Sequence, residues 1–276
     1  MSARAESLPA ARPRARPVAG DAGRRLRRAL ALPLALLAAW WAVFAFGTVA
    51  PGLYVSPGRV LETGWKLAGT PVLWGALGSS LARAAAGFLI GAAGGVLVGV
   101  ALGVSPLARR LFGPSLHALR QVSLFAWVPL IMVWFGLGES SKVVFVSIAA
   151  FFPVMLNSAE GVAGIPREQL EVARVATFSR TQTFFRLILP AAAPSILTGV
   201  HVALVAAWGA TLGAEYLMTS GPGIGKLLID GQETSAMDVT LVGMALAGVV
   251  GHGLHLAATR AESCLLRWRA PASAAD

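Results

Sequence analysis

Cysteine is all but missing from this 276-residue chain, with Cys264 the single example. One thiol excludes an internal disulfide and any zinc cage built from cysteines. Histidine is scarce, at four residues, and Asp and Glu together number 13. So few polar groups leave little material for a convergent set of acid, base and nucleophile, and no catalytic, cofactor or metal residue is expected. Charged residues of both signs make up 13% of the chain, about half of the roughly 25% usual in soluble domains. In their place stand apolar residues, 56% of the total, with a mean hydropathy of +0.68. Stretches of about 20 apolar residues, enough to cross a ~30 Å hydrocarbon layer, recur along the sequence. The expected fold is therefore an all-α integral membrane protein.

The net charge of +10 would suit nucleic acid only if the basic residues formed one folded patch. They cluster instead at the ends of apolar runs, so membrane lipid is the expected partner and nucleic acid is not. Residues 1–28 carry eight arginines among Pro and Ala, a composition that cannot bury a core and predicts a disordered basic tail. The run from Ala29 to Ala50 is longer than a signal-peptide core and is read as a retained first span. Pro51, Pro57 and Pro71 punctuate a loop with one short surface helix around Val60 to Leu67. Further spans are expected over Leu73 to Val104, Leu116 to Phe135, Val143 to Ser158, Ala191 to Leu212 and Val239 to Ala258. Pro129 should kink the third of these six, and Gly136 to Lys142 should form a tight polar turn after it. The membrane domain spans residues 29–269, and 270–276 form a short tail.

Lys and Arg gather on cytoplasmic loops. With the tail inside, Arg109, Arg110, Arg120, Arg167, Arg174, Arg180, Arg186, Arg260, Arg267 and Arg269 all fall on the same side, against Arg59, Lys66, Lys142 and Lys226 outside. Both termini are then cytoplasmic, and so is the polar segment 160–190. Within it, Pro166 suits the start of a helix running to about Ala176, with Glu168 and Glu171 at the positive end of its dipole. Ser179 and Gln182 have the capping-box spacing, so a second short helix should start near Arg180 and stop before Pro190. Small residues Ala173 and Ala176 and apolar Val172, Phe184 and Phe185 would then project into water and want a partner.

The stretch EVARVATFSRTQTFFRLILP, residues 171–190, resembles the EAA loop of permeases of the binding-protein-dependent ATP-binding-cassette type. The resemblance rests on Glu171, Ala173, Leu189 and Pro190, with Leu187 for the usual isoleucine, Val172 for the middle alanine and Thr177 for the glycine. Thr177 implies either a bend that needs no left-handed backbone or a slightly altered loop. The likeness runs from about Val55 to Trp268, and SPGRVLETGWKL (56–67), VPLIMVWFGLGESSKVVFVSIAAFFPVMLNSAEGV (128–162) and LPAAAPSILTGVHVALVAAW (189–208) are similar to the nitrate, sulfonate and taurine branch. It implies a six-helix importer permease in the bacterial inner membrane, a homodimeric pore clamped by cytoplasmic ATPase subunits and fed by an extracytoplasmic solute-binding protein. ATP and magnesium would belong to the ATPase partner. The segment 160–190 would be its coupling loop, and the cargo a small anion such as nitrate, an alkanesulfonate or taurine. The lookalike GPGIGK at 221–226 lacks the phosphate-loop spacing and has Leu227 where a hydroxyl must hold magnesium, so it reads as a turn.

Ionisable groups within spans usually face a cavity or a partner, which singles out Arg83, His201, His252 and His255. Arg83 and His201, with Pro129 and Glu215, are the candidate pathway residues. Gly87, Gly91, Gly95, Gly99 and Gly103 recur every fourth residue and make a small face for close helix approach. A secondary transporter or channel without ATP coupling is the alternative, but inverted repeats are not evident.

Overall fold

The computed structural model describes residues 31, 32, 35–42 and 55–266. Residues 31, 32 and 35–42 are helical and belong to an N-terminal unit, 1–57, separate from the unit 58–276. The predicted disordered tail, most of the predicted first span and the segment 270–276 lie outside the described residues.

The larger unit is built from helices α1 (Pro57–Ala68), α2 (Pro71–Val104), α3 (Pro106–Gln121), α4 (Val128–Phe135), α5 (Glu139–Ala163), α6 (Arg167–Val175), α7 (Arg180–Thr183), α8 (Leu189–Leu217), α9 (Ile224–Glu233) and α10 (Met237–Leu265). Among the described residues, four helices are long and apolar enough to cross a membrane: α2, α5, the continuous run Arg180–Leu217, and α10. The pair α3 and Leu124–Phe135 makes a fifth if it counts as one span.

The predicted third span differs from the structure. It is broken between Gln121 and Leu124, and its halves meet at 96°. Pro129 does not kink a continuous helix: it stands in the first turn of α4, where its missing N–H would have had no helical partner anyway. The predicted turn Gly136 to Lys142 is also shorter than expected. Gly136 alone takes the left-handed turn, at φ 76°, and α5 begins at Glu139.

Lipid tails are as apolar as leucine, so helices associate in a membrane through close packing rather than through the hydrophobic effect. The centre of this bundle obeys that rule: α5 lies between α2 and α8, around Ala92, Val146, Ala150, Val154, Ala203 and Ala207. The five periodic glycines stand on the face of α2 that meets α5. A methyl on Gly95 would sit 2.7 Å from the Phe151 carbonyl oxygen and 2.8 Å from Val154 Cβ. Backbone cannot yield there, so Gly95→Val should cost about 3 kcal/mol or more. Thermal unfolding in detergent should drop well below wild type, while Gly75→Val, at a glycine with open space around it, should not show that drop. Bulky apolar side chains such as Leu89, Ile90, Leu97 and Val249 point outward, as lipid requires.

Candidate functional site

The segment between α5 and α8 is an elbow assembled from local signals. Pro166 caps α6. At the other end Thr177 N–H donates to the Arg174 carbonyl and Phe178 N–H to the Ala173 carbonyl, both near 3.0 Å. That pair of bonds is a Schellman turn, whose central residue must be left-handed. Thr177 supplies it at φ 55°, so the bend does use a left-handed backbone, here on a β-branched residue that pays for the conformation in steric strain. Thr177→Gly should therefore stabilise the elbow by about 1 kcal/mol, read as slower hydrogen exchange of the Phe178 amide. Unchanged exchange would show that the strain is relieved elsewhere.

Ser179 then caps α7 with the full capping box: its hydroxyl accepts from Gln182 N–H, and Gln182 accepts back from Ser179 N–H at 2.9 Å. The second helix does not stop before Pro190, as the sequence had suggested. It runs through a π turn, Phe184–Ile188, into α8, with Leu189 N–H bonding the Phe184 carbonyl five residues back. The wider turn makes room for the ring of Pro190, which would crowd the carbonyl four residues before it in a regular helix.

The exposed face of the elbow is not quite the predicted one. Ala173 is the one buried residue of α6, on a helix that touches the π turn, so its small size serves packing within the chain. Phe184 is half-buried. Val172, Val175 and Phe185, and to a lesser extent Phe178, are the large apolar side chains that face outward, with Glu171 exposed beside them. Leu187 and Leu189 are half-buried and Pro190 exposed where the elbow joins α8.

At the opposite end of the same helices lies a buried charge cluster. Glu215 of α8 is 1% exposed and receives Arg83 Nη1 at 2.6 Å, the Ser80 hydroxyl at 2.7 Å and Gly225 N–H at 2.8 Å. Ser80 Oγ also accepts Ile224 N–H at 2.9 Å. The other edge of the Arg83 guanidinium is taken by Glu139 through Nε and Nη2. Lys142, also 1% exposed, donates to the Ser220 carbonyl and lies 3.7 Å from Glu139. Two cations thus meet two carboxylates, which is how a low-dielectric interior tolerates charge. The glycine-rich loop is shaped to fit: a methyl on Gly223 would sit 2.5 Å from the Glu215 carboxylate. The GPGIGK stretch is therefore a turn and helix start whose amides are spent on this chain's own glutamate and serine.

Sequence reasoning placed Arg83 and Glu215 in the pathway set without pairing them, and it missed Ser80, Glu139 and Lys142. The spacing of Glu139 and Lys142 at i, i+3 directly before an apolar run was a signal that both belong to the helix rather than to a loop. His201 is brought to α10 rather than left alone: its Nδ1 lies 3.1 Å from Glu262 and its Nε2 lies 3.0 Å from His255 Nδ1. His201 and Glu262 border a cavity of about 300 Å³ also lined by Phe88 and Leu197. His252 is exposed, and no group of three His, Cys, Asp or Glu side chains among the described residues is arranged to hold a metal ion. Pro129 borders a separate cavity with Phe125 and Tyr216. The four predicted pathway residues thus stand in three separate places.

The described residues fold into helices without strands, and several of those helices are long and apolar enough to cross a membrane, which is the build of a polytopic membrane protein. Residues 91–258 match the family described as binding-protein-dependent transport system inner membrane component, and the chain belongs to that family of importer permeases. It is 35% identical over 88% of its length to a Bacillus subtilis protein assigned as the aliphatic sulfonates transport permease SsuC, covering 87% of that relative. It is 31% identical to the taurine transport permease TauC of Escherichia coli, over 84% of this chain and 86% of that one. The nitrate import permease NrtB of Leptolyngbya laminosa is 30% identical, over 83% and 85%. Among solved structures, the inward-facing MetNI methionine ABC transporter superposes with a TM-score of 0.54 at 18% identity, over 72% of this chain and 96% of that one. That likeness is one of fold.

Proposed function

We propose that this chain forms the translocation pathway of an ATP-driven importer for a small anion, working as a homodimer of six-span subunits in the bacterial inner membrane with both termini in the cytoplasm. The observation that carries the reading is the elbow 164–190: a capped, rigid double helix that leaves Val172, Val175 and Phe185 bare at the end of two spans. An apolar patch on a stiff projection suits a groove in a cognate ATPase, which would push on α5 and α8 through it. Movement of ATPase subunits would then bias a two-state rearrangement of the bundle.

The relatives support the cargo class: their names specify aliphatic sulfonates, taurine, nitrate and bicarbonate. All are small and carry an anionic group. An extracytoplasmic solute-binding protein would deliver the anion, and the ATPase partner would hold ATP and magnesium, so the chain itself has no enzymatic role. The test is co-purification from detergent-solubilised membranes in which this chain is expressed with its cognate ATP-binding-cassette ATPase. A stable complex is expected, with ATP hydrolysis in the complex and none from the chain alone. Failure of the two to associate, or robust hydrolysis by the isolated chain, would overturn the reading.

A further inference from the structure

We propose that α1 is an interfacial helix, lying in the phospholipid headgroup boundary of the leaflet that holds the N-terminal end of α2, with Leu61 and Trp65 inserted among the lipid chains. The argument begins from the helical period of about 3.6 residues, which sorts α1 into three sectors. One holds Thr63 and Gly64 and faces the bundle: the Thr63 hydroxyl donates to Asp238 of α10 at 2.7 Å, and Gly64 approaches Val242. A second holds Arg59, Glu62 and Lys66, exposed and charged, with Lys66 donating to Glu62 at 2.6 Å. The third holds Leu61 and Trp65, which are 75% and 85% exposed.

A helix at a protein–water boundary has two sectors, one apolar and inward, one polar and outward. Three sectors of different character mean three surroundings: protein, water and lipid. The bond to Asp238 keeps the helix from rolling Leu61 and Trp65 onto the bundle. Position selects lipid as the third surrounding. Only Gly69 and Thr70 separate α1 from α2, whose 34 residues span about 51 Å at ~1.5 Å each, well beyond the ~30 Å hydrocarbon core. A helix that long leaves the core at one end or both, and the first turn of α2 carries the side chain that marks an end at headgroup depth. Trp74 lies there, exposed, with its indole N–H donating to the Ala68 carbonyl at 2.9 Å and its ring across the joint. Tryptophan at this level is the side chain that anchors helices in the interface. Because Lys66 pairs with Glu62 and Arg59 lies 3.6 Å from Asp238, the helix offers little surplus charge. Insertion should be indifferent to the fraction of anionic lipid.

The experiment uses the full chain in phosphatidylcholine nanodiscs, with Cys264→Ser and a nitroxide on Leu61→Cys or on Glu62→Cys. Power saturation with oxygen, which partitions into lipid, and with a water-soluble nickel chelate reports the surroundings. The oxygen-to-nickel accessibility ratio should be several-fold higher at position 61 than at 62. As a second readout without labels, the emission lost in Trp65→Phe should be the component quenched by lipids brominated near the headgroup. A nitroxide at 61 that favours nickel would place the helix in water. Protection from both reagents, with Trp65 emission unquenched by brominated lipid, would mean that protein covers the stripe. Either result overturns the proposal, and neither bears on the coupling role of the elbow.

Discussion

Replacing Glu215 with alanine is expected to leave little folded protein in the membrane. The substitution removes the one fully buried carboxylate of the charge cluster, leaving Arg83 with only the partly exposed Glu139 and stranding Gly225 N–H and the Ser80 hydroxyl. Breaking a buried ion pair by deleting one partner typically costs about 3–5 kcal/mol, because the remaining charge cannot regain water. Glu215→Gln keeps the shape and an acceptor oxygen for Ser80 and Gly225, so it should fall between alanine and wild type. Glu139→Gln should be the mildest of the three, since the Glu139 side chain is 58% exposed and water can replace what it gave. Monodisperse yield and thermal unfolding in detergent provide the ranking. Equal stability of all three variants would mean that the cluster does not hold α2, α5, α8 and α9 together at the end away from the elbow.

The second large effect concerns the elbow. Val172→Glu and Val175→Glu should each abolish solute uptake while leaving the folded bundle intact, because both side chains are exposed in this chain and would carry an unpaired charge only into an interface. Burying such a charge costs about 2–5 kcal/mol, enough to reduce ATPase recruitment at least tenfold. Ala173→Glu is a different experiment. Ala173 is buried within the chain, so a charge there should disturb the elbow itself and lower its stability together with uptake. Uptake at wild-type rate by Val175→Glu, at equal expression, would remove the exposed valines from the coupling surface.

The features legible in the sequence are those fixed by near neighbours. Pro166 and the capping box of Ser179 and Gln182 are set by residues within a turn of the site, and the structure has them where spacing places them. Pro57 and Pro71, read as punctuation of a loop, instead open α1 and α2. The features that escaped depend on what comes from elsewhere in the chain. Glu139 and Lys142 read as loop residues because their counter-charges and acceptors, Arg83 and Ser220, lie far away in sequence. Ala173 read as exposed because its covering packs back from the following turn. Pro190 read as a stop because a π turn, which no local residue preference announces, carries the helix past it. Thr177 read as either a bend without left-handed backbone or a slightly altered loop, and the paired Schellman bonds hold it at positive φ. The glycine period of α2 signalled close packing, and only the fold could name α5 as the helix it meets.

The central claim, that this chain moves a small anion only when driven by a separate ATPase, is tested most directly by reconstitution. Proteoliposomes would carry the chain with its cognate ATPase, be loaded with ATP, and be supplied outside with the cognate solute-binding protein and a radiolabelled sulfonate, taurine or nitrate. Accumulation of label is expected only when chain, ATPase, ATP and binding protein are all present, and it should vanish with Val172→Glu. Accumulation by the chain alone, driven by an imposed proton or sodium gradient and indifferent to ATP, would contradict the account and assign the protein to the secondary transporters.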